Sequence, residues 1–422
     1  MNPSVGTTHV VGLGVAGLSA AVRLVDAGHR VALYDGAKAA GGRCRSFHDA
    51  KLDCRIDNGN HLLLSGNKSA LSYLDLIGAR DELAIEPSAT FPFVDLASKQ
   101  RWTVDINDGP IPFWVFDRTR SIPDVRLTDY LPALRFPFAP SSATIASLTG
   151  DNGALFERFW EPMTWAVLNT TPDRASAQLM WRVLRETFLK GGGACRPMIA
   201  KRGLSETFVD PALHFIQGHG ADVRFNDPLK AIERDADRAT ALIFADRRID
   251  LAYEDTLVLA VPRAVAGRLL PDLSIPDGDA SIVNAHFKLA HPVPNAPPPL
   301  IGLVNAKTHW IFTRGPIVSL TISAADALGL DRLSEDELLP MLWREVCDAL
   351  SLPADMDYDA ARLIRERRAT FDQSPSSVAK RPKTRTAIKN LFLAGDWVDN
   401  GLPATIEGSI RTGEMAAKAV IQ

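Results

Sequence analysis

The stretch Gly12-Leu13-Gly14-Val15-Ala16-Gly17 decides the fold class that this sequence predicts. It follows the apolar residues Val10 and Val11 and precedes a helix pattern over residues 18–27, which Gly28 closes. In such a GxGxxG turn the first glycine permits the tight turn, the second lets the backbone approach a pyrophosphate, and the third lets helix and strand pack closely. The free N–H groups at the helix start then bind the phosphates. Glycine-rich turns occur in many loops, so the flanking strand and helix are what indicate a dinucleotide-binding βαβ unit.

Two features after this turn indicate which dinucleotide is bound. Asp35 ends the second predicted strand, where its carboxylate can accept hydrogen bonds from the adenosine ribose hydroxyls; a simple turn residue is the alternative. The triplet Gly41-Gly42-Arg43 follows, and a small-residue turn that ends in arginine suits a second approach of backbone and cation to the pyrophosphate. A plain loop with a solvated arginine is the alternative for this triplet. At this distance from the first turn the triplet favours FAD over a nicotinamide dinucleotide.

The C-terminal segment supplies the other half of the predicted FAD site. A buried strand pattern ends at Gly395-Asp396, and residues 401–408 lead into a helix that runs to Ile421. Asp396 can hydrogen-bond a ribityl hydroxyl, and a turn cap is its alternative role. The N–H groups of Thr405 and Ile406 can face the N1/O2 edge of a flavin, where the helix dipole stabilises negative charge. The predicted cofactor-binding residues are Gly12, Gly14, Val15, Ala16, Gly17, Asp35, Gly42, Arg43, Gly59, Gly395, Asp396, Leu402, Thr405 and Ile406, and no metal site is predicted.

The order of the patterns along the chain predicts an α/β protein with two discontinuous domains. A Rossmann-type FAD-binding domain is assigned to residues 1–70, 195–283 and 385–422, and a mixed α+β substrate domain to residues 71–194 and 284–384. Strand patterns near 222–225 and 256–261 on either side of a hairpin indicate the return to the nucleotide domain. Helices are expected around 70–77, 155–165, 175–189 and 335–350.

Composition narrows the classes of function. The 422 residues are 46% hydrophobic and carry a net charge of −3, which argues against a nucleic-acid binder. The four cysteines contain no CxxC pair, so neither a zinc site nor a disulfide scaffold is predicted, and a reducing cytoplasm is expected. No signal peptide is recognisable, and no apolar run approaches the roughly 18 residues that span a bilayer. Any membrane contact is therefore expected to be peripheral, on the inner face of the cytoplasmic membrane.

The motifs together resemble the flavin amine oxidase and phytoene desaturase superfamily. A narrower resemblance, to the squalene-associated FAD-dependent desaturases, spans nearly the whole chain. It rests on Asp57-Asn58-Gly59-Asn60-His61-Leu62-Leu63-Leu64, Trp160-Glu161-Pro162, Leu168-Asn169-Thr170, Arg367-Arg368-Ala369-Thr370-Phe371, Ala394-Gly395-Asp396-Trp397 and residues 401–408. This resemblance implies an amine oxidase-like two-domain flavoprotein. One departure is Asn60, where the group usually has glutamine, so the hydrogen bonding near the flavin is left open.

The resemblance also implies an activity, the reductive removal of the hydroxyl of hydroxysqualene to give squalene on the bacterial route to hopanoids. An allylic C–O bond must be loosened with the help of a general acid, and a hydride must be delivered from reduced flavin. His61 and Asp399 are the predicted proton sources, with a structural hydrogen bond as the alternative for each. Asp57 is interpreted as a turn residue and Glu407 as a first-turn helix carboxylate. The substrate is thus a long isoprenoid, and the reductant of the flavin is unknown.

Other functions and contacts remain open from the sequence. The alternatives are a carotenoid-type desaturase acting on phytoene or squalene, and a non-catalytic isoprenoid carrier on the same fold; an amine oxidase is disfavoured because no aromatic pair flanks the C-terminal motif. An aromatic stretch can line a hydrocarbon tunnel, enter a bilayer interface or form ordinary core. Its members are Phe91, Phe93, Trp102, Phe113, Trp114, Phe116, Phe136 and Phe138. Between Arg362 and Lys389, basic residues outnumber acidic ones nine to two, which suits either anionic lipid or a solvated face.

Overall fold

The computed structural model describes residues 6–353 and 355–422 of the chain. The strands are β1 (Thr7–Val11), β2 (Arg30–Tyr34), β3 (Ser46–Asp49), β4 (Cys54–Asp57), β5 (Leu63–Leu64), β6 (Leu83–Ile85), β7 (Thr90–Asp95), β8 (Arg101–Asp105), β9 (Pro197–Ala200), β10 (Asp222–Arg224), β11 (Ala231–Asp235), β12 (Arg238–Ile243), β13 (Arg248–Asp250), β14 (Thr256–Leu259), β15 (Asp279–Lys288), β16 (Leu300–Val304), β17 (Trp310–Arg314), β18 (Ile317–Ser323), β19 (Ala360–Phe371) and β20 (Leu391–Leu393). The α-helices are α1 (Val15–Asp26), α2 (Lys68–Leu76), α3 (Ile145–Thr149), α4 (Glu161–Leu168), α5 (Ala177–Glu186), α6 (Asp210–Gly218), α7 (Arg263–Leu269), α8 (Glu335–Leu350), α9 (Pro375–Val378) and α10 (Ile406–Ile421).

A parallel sheet in the order β10-β2-β1-β14-β20 joins the two ends of the chain. Its inner strands β2, β1 and β14 are mostly buried, as expected for a parallel sheet covered on both sides, whereas the edge strand β10 is exposed. Val10, Leu33 and Val258 face one core, with α1, α2, α6 and α10. Val11, Tyr34 and Leu259 face the other core, which includes residues of β12 and Trp397. This is the nucleotide-binding arrangement that the glycine turn predicted.

Helices α1 and α10 pack so closely that a glycine is needed between them. A Cβ atom on Gly413 would lie 2.2 Å from the Ala16 carbonyl oxygen, which is closer than any real contact. The Ser19 hydroxyl also donates to the Ile410 carbonyl at 2.9 Å. The N-terminal helix and the C-terminal helix therefore form one unit beside the parallel sheet.

A mostly antiparallel sheet in the order β19-β15-β18-β17-β16-β7-β8 forms the second large layer. Side chains alternate between its faces: Val283, Ala285 and Phe287 pack under α8, while Asn284 and His286 point to the other face. That other face continues into an aromatic cluster shared with α3, α4 and α5. No helix among the described residues is long and apolar enough to cross a membrane.

The structure confirms the elements that carried strong sequence patterns. The βαβ start, the returning strands β10 and β14, helix α8 and the final strand, turn and helix all lie where the patterns placed them. The π-helical turn Phe156–Trp160 and α4 replace the single helix predicted over 155–165. Strands β7 and β8 were not predicted, since their segment was interpreted only as rich in proline and aromatic residues. The division into two discontinuous domains with the stated boundaries remains a prediction.

Candidate active site

The first glycine turn places unpaired N–H groups beside open space. Gly12 has φ +96°, and a Cβ there would lie 2.4 Å from the Ala260 carbonyl oxygen. A Cβ on Gly17 would lie 1.9 Å from the Gly12 carbonyl oxygen, whereas one on Gly14 would meet nothing within 4 Å. The N–H groups of Val15, Ala16 and Gly17 open α1 and have no partner within the helix. This combination of close packing and open space is the cradle that a pyrophosphate needs.

The Gly41-Gly42-Arg43 turn lies directly against the first glycine turn. The Gly41 N–H donates to the Leu13 carbonyl at 2.7 Å, and Gly14 and Gly41 form a parallel bridge. Gly41 and Gly42 both have positive φ, which explains the two glycines. The Arg43 guanidinium donates to Asp396 Oδ1 at 2.7 Å and also to the Ala369 carbonyl. The pKa of Arg43 is raised chiefly by the Asp396 carboxylate, so the cation stays charged at this position.

Asp35 also faces the first turn. Its carboxylate accepts from the Leu13 N–H at 2.6 Å and from the Ala37 N–H at 2.7 Å. Each carboxylate oxygen can accept a further hydrogen bond, so a role toward a ribose hydroxyl is compatible with this position. The contact with Ala37 is also the turn geometry that the alternative interpretation described.

The C-terminal Gly-Asp segment is fixed by a buried arginine that the sequence did not single out. Arg381 is 6% exposed and donates to the carbonyls of Leu402, Asp396 and Val398 at 2.7–3.0 Å. Burial lowers the pKa of Arg381, while the carboxylates of Asp399 and Asp396 oppose this effect. The only signal for this residue in the sequence was the basic run between Arg362 and Lys389. Arg381 thus shapes the loop that presents Asp396, and it supplies no free charge to a ligand.

Helix α10 begins where the flavin edge was predicted. Thr405 is its N-cap, and the Thr405 hydroxyl accepts from the Gly408 N–H at 3.1 Å. The preceding Ala404 N–H donates to Gln373 Oε1 at 2.9 Å, and Gln373 Nε2 donates to the Leu168 carbonyl at 2.7 Å. Gln373 is fully buried, so it connects this helix start to α4 of the other layer. Sequence reasoning missed Gln373, because its partners lie far apart in the chain.

The segment 57–61 joins the nucleotide-binding half to the antiparallel sheet. Asn60 Nδ2 donates to Thr321 Oγ1 at 3.1 Å, and Thr321 Oγ1 donates to Asn284 Oδ1 at 2.9 Å. A Cβ on Gly59 would lie 3.4 Å from Asn284 Nδ2 and 3.7 Å from His61 Nε2. Asn60 Nδ2 also donates to the Leu320 carbonyl at 3.3 Å, so this group is bound to β18 of the sheet.

The two predicted proton sources are not in an acidic form at neutral pH. His61 is partly buried, and burial lowers its pKa to about 4, with Asp57 opposing the shift and Arg43 adding to it. Burial alone would raise the pKa of Asp399, but the ion pair with Lys383 and a 3.1 Å hydrogen bond from the Gly401 N–H hold it below its ordinary value. At pH 7 His61 is thus a neutral imidazole and Asp399 a carboxylate.

The other two carboxylates near the motifs have structural partners. Buried Glu407 accepts from the N–H groups of Ser69 and Ala70 at 3.1 and 2.8 Å, so it caps α2 as well as opening α10. Asp57 accepts from Ser46 Oγ at 2.6 Å and from the Leu204 N–H at 2.9 Å. Glu407 is thus a first-turn helix carboxylate, as predicted, whereas Asp57 is the last residue of strand β4 and not a turn residue.

The described residues have features that a flavin dinucleotide needs. The open space at Gly14 and the cation of Arg43 suit phosphates, and the capped start of α10 suits a negatively polarised ring edge. The Arg43–Asp396 ion pair joins the N-terminal and C-terminal parts of the predicted site. The binding role of each predicted cofactor residue stays a prediction.

Comparison with known proteins identifies relatives along the whole chain. Residues 15–421 match the model of the flavin containing amine oxidoreductase family. The chain is 42% identical to the hydroxysqualene dehydroxylase of Sinorhizobium fredii, covering 97% of both chains. The corresponding values are 41% for the hydroxysqualene dehydroxylase of Zymomonas mobilis and 42% for that of Rhodopseudomonas palustris, with at least 97% of each chain covered. A probable zeta-carotene desaturase of Synechococcus elongatus is more distant, at 21% identity over 98% of both chains.

Solved structures confirm the predicted fold class. Cyclohexylamine oxidase from Brevibacterium oxydans superimposes with a TM-score of 0.74 at 14% identity, covering 98% of both chains. Putrescine oxidase bound to putrescine superimposes with a TM-score of 0.72 at 15% identity, covering 99% of both chains. The chain therefore has an amine oxidase-like flavoprotein fold, and the predicted flavin cofactor is confirmed at the level of the family.

Proposed function

The chain belongs to the flavin-containing amine oxidoreductase family and to the hydroxysqualene dehydroxylases, and from this we propose that it uses FAD to remove the hydroxyl group of hydroxysqualene, giving squalene for hopanoid and isoprenoid biosynthesis. The observation that carries the proposal is the 42% identity over nearly the full length of these relatives. The carotenoid desaturases share only 21–22% over a similar span, which disfavours desaturation.

The aromatic cluster next to segment 57–61 supports a hydrocarbon substrate. Leu62 and Leu64, which directly follow His61, pack against this cluster together with Trp310 and Phe312. We propose that residues 57–61 form a flavin-facing turn, and an apolar region beside this turn suits an isoprenoid better than a polar or charged substrate.

The proposed reaction is balanced by two electrons and one proton. When bound and reduced, FAD supplies a hydride that takes the place of the oxygen on carbon. The C–O bond breaks, the departing oxygen takes up a proton, and water leaves. A separate reductant must then return two electrons to the cofactor for each turnover. The chain's task is to hold the allylic carbon at the flavin, to exclude other water and to hydrogen-bond the departing oxygen.

His61 is the better placed of the two predicted catalytic residues. It follows Gly59 and Asn60 on the flavin-facing turn, whereas Asp399 is committed to Lys383. We propose that the neutral His61 ring donates an N–H hydrogen bond to the leaving oxygen. Substitution His61→Phe then lowers the rate of squalene formation, while Asp399→Asn changes it little.

The direct test is anaerobic turnover of purified protein. Protein loaded with FAD is reduced with dithionite and mixed with hydroxysqualene, and squalene is expected as the product with oxidised flavin. Bound, reducible flavin without squalene formation refutes the proposal. Dehydrogenation of phytoene or squalene by the oxidised protein would instead establish a desaturase. A colourless preparation that takes up no FAD would favour the isoprenoid carrier.

The peripheral membrane contact is a second part of the proposal. Large apolar side chains are exposed over residues 111–138, where they form what we call the apolar ridge. Its members are Ile111, Phe113, Phe116, Leu127, Leu131, Leu134 and Phe138. Leu127, Leu131, Leu134 and Phe138 lie in the 3₁₀-helical segment Leu127–Phe138, in which Phe136 is buried in the aromatic cluster. We propose that the ridge enters the inner face of the cytoplasmic membrane, where the isoprenoid substrate of the protein is dissolved.

A further inference from the structure

One row of side chains crosses the antiparallel sheet beside the flavin-facing turn. By strand register Asn284, Thr321 and Trp310 are direct neighbours on β15, β18 and β17. The row continues through Gly302 on β16 to Phe93 on β7. Paired residues on adjacent strands share one face, with Cβ atoms about 5 Å apart. The row therefore changes from polar to aromatic at Trp310.

Hydrogen bonds fix the polar end of this row to the flavin-facing turn. Thr321 Oγ1 accepts a hydrogen bond from Asn60 Nδ2 and donates one to Asn284 Oδ1. Trp310 stands directly beside Thr321 in the pairing register. Its side chain thus stands on the same sheet face as Thr321, to which Asn60 is hydrogen-bonded.

The ring of Trp310 contacts an aromatic neighbour, and the residue is only partly buried. It meets the Phe93 ring edge-on at 5.5 Å and 61° between planes, and Phe93 occupies the space that a side chain on Gly302 would need. Trp310 as a whole is only partly buried, yet its Nε1 is buried and finds no hydrogen-bond acceptor among the described residues. The Trp310 N–H group therefore does not lie on the accessible part of this residue.

No protein cation uses this ring. The Arg158 guanidinium lies 5.3 Å from the centroid of Trp102, further along the same sheet, but in the described ranges no lysine or arginine lies over Trp310. The groups nearest to Trp310 along the row are the uncharged Thr321 and Asn284. The electron-rich ring face is thus free to interact with positive charge on a ligand.

Resting on the proposed function, we propose that Trp310 lies against the reacting allylic carbon of the isoprenoid and that its ring face stabilises the positive charge that develops there as the C–O bond breaks. The oxygen departs with the bonding electron pair and takes up a proton, and the hydride from reduced FAD then neutralises the carbon. The ring takes no part in bond making. A neutral His61 agrees with this assignment, because a charged imidazolium on the flavin-facing turn would repel the positive charge that develops on the substrate.

The test compares the turnover number of Trp310→Phe and Trp310→Leu with that of the wild-type holoenzyme. A cation–π contribution of the usual size predicts a loss in kcat of about 3-fold for phenylalanine and about 10- to 30-fold for leucine, with KM changed little. Site-specific replacement of Trp310 by increasingly fluorinated tryptophans keeps the shape and should lower log kcat stepwise. Trp343→Phe is the matched control, since Trp343 is a buried residue of α8, packs on the other face of the sheet and donates to the Met356 carbonyl at 2.8 Å.

A binding measurement separates this role from simple packing. An ammonium analogue of hydroxysqualene, with nitrogen in place of the reacting carbon, should bind Trp310→Leu about 10-fold more weakly than wild type, while a neutral saturated analogue binds both equally. Flavin content and thermal melting show whether each variant is folded. Three results would overturn the role of Trp310. They are an equal loss of kcat in Trp310→Phe and Trp310→Leu, a change in KM without a change in kcat, and a kcat that does not respond to fluorination. Absence of squalene with the wild-type protein instead refutes the proposed function itself.

Discussion

At the scale of single residues, the glycines of the first turn divide into two kinds. Gly17 is required by the fold, because a Cβ there would meet the Gly12 carbonyl at 1.9 Å. Gly14 has an ordinary extended backbone and open space at its Cβ position, so only a ligand needs it to be glycine. Gly17→Ala should therefore lower the free energy of unfolding of the apoprotein by about 3 kcal/mol or more.

Gly14→Ala should separate cofactor binding from folding. Its apoprotein is expected to lose under about 1 kcal/mol of unfolding free energy, since alanine is only a poorer helix N-cap. The FAD dissociation constant should rise about 10-fold or more, because the methyl group enters the space through which a pyrophosphate approaches the backbone. Urea unfolding of the apoprotein and fluorescence titration with FAD measure the two quantities. Unchanged FAD affinity in Gly14→Ala would contradict the placement of the pyrophosphate.

The residues that sequence reasoning found are those with local signals. The spacing of Gly12 to Gly17 and the Gly42-Arg43 pair indicate phosphate chemistry by themselves, and the structure brings Arg43 to Asp396. Trp310, Thr321 and Asn284 have no such signal, because their proximity depends on the register of three strands. Burial decided the protonation of His61, and burial by distant segments cannot be predicted from neighbouring residues in the sequence.

At the scale of elements, two helix starts offer a matched pair. Thr405 caps α10 at the predicted flavin edge, and Ser334 caps α8, where its hydroxyl accepts from the Glu337 N–H at 3.3 Å. Thr405→Ala and Ser334→Ala should each lower the unfolding free energy of the apoprotein by about 1 kcal/mol. Only Thr405→Ala should also weaken FAD binding, by about 3- to 10-fold, because the first turn of α10 is the one predicted to face the flavin. Equal FAD affinities of the two variants would argue against that orientation of the flavin.

The elements themselves differ in how far the sequence predicts them. Helix α8 was predicted from its periodicity, and the structure has it at the same bounds, with a capping box at Ser334 and Glu337. Strand β7 was not predicted, since Pro92 and its flanking phenylalanines resemble a loop until they pair with β8 and β16. Strand β15 alternates apolar and polar residues, but the polar side chains are also buried, because segment 57–61 covers them. The formation of β7 and the burial of the polar side chains on β15 therefore depend on tertiary contacts and not on the local sequence pattern.

At the scale of the whole molecule, buried histidines link stability to pH. His286 and His309 are 1% and 8% exposed, and burial lowers the pKa of each from 6.5 to about 4. As the pH falls the unfolded chain takes up protons first, so the stabilisation is complete above pH 6.5 and is lost towards pH 4. Between pH 7 and pH 5 each histidine should remove about 2 kcal/mol from the free energy of unfolding.

Urea unfolding at pH 7 and at pH 5 measures this dependence. Carboxylates with a lowered pKa change the free energy of unfolding mainly at still lower pH, so they contribute little to the difference between pH 7 and pH 5. The double substitution His286→Asn/His309→Asn should reduce the difference between the two pH values by about 4 kcal/mol. A double variant with the wild-type pH dependence would show that other groups are responsible.

The apolar ridge relates the whole molecule to its surroundings. Phe138 is 86% exposed and Leu134 68% exposed. Exposing so many large apolar side chains to water within one segment is unfavourable and is typical of an interaction surface. The triple substitution Leu131→Ser/Leu134→Ser/Phe138→Ser should abolish flotation with liposomes of a phosphatidylglycerol and phosphatidylethanolamine mixture. It should leave kcat for detergent-dispersed hydroxysqualene nearly unchanged, because the ridge lies outside the aromatic cluster that its neighbour Phe136 enters. Ile85→Ser/Leu328→Ser removes comparable exposed apolar side chains elsewhere on the surface and should still float. If the triple variant binds liposomes as the wild type does, the membrane face lies elsewhere, and the basic run from Arg362 to Lys389 becomes the surface to test next.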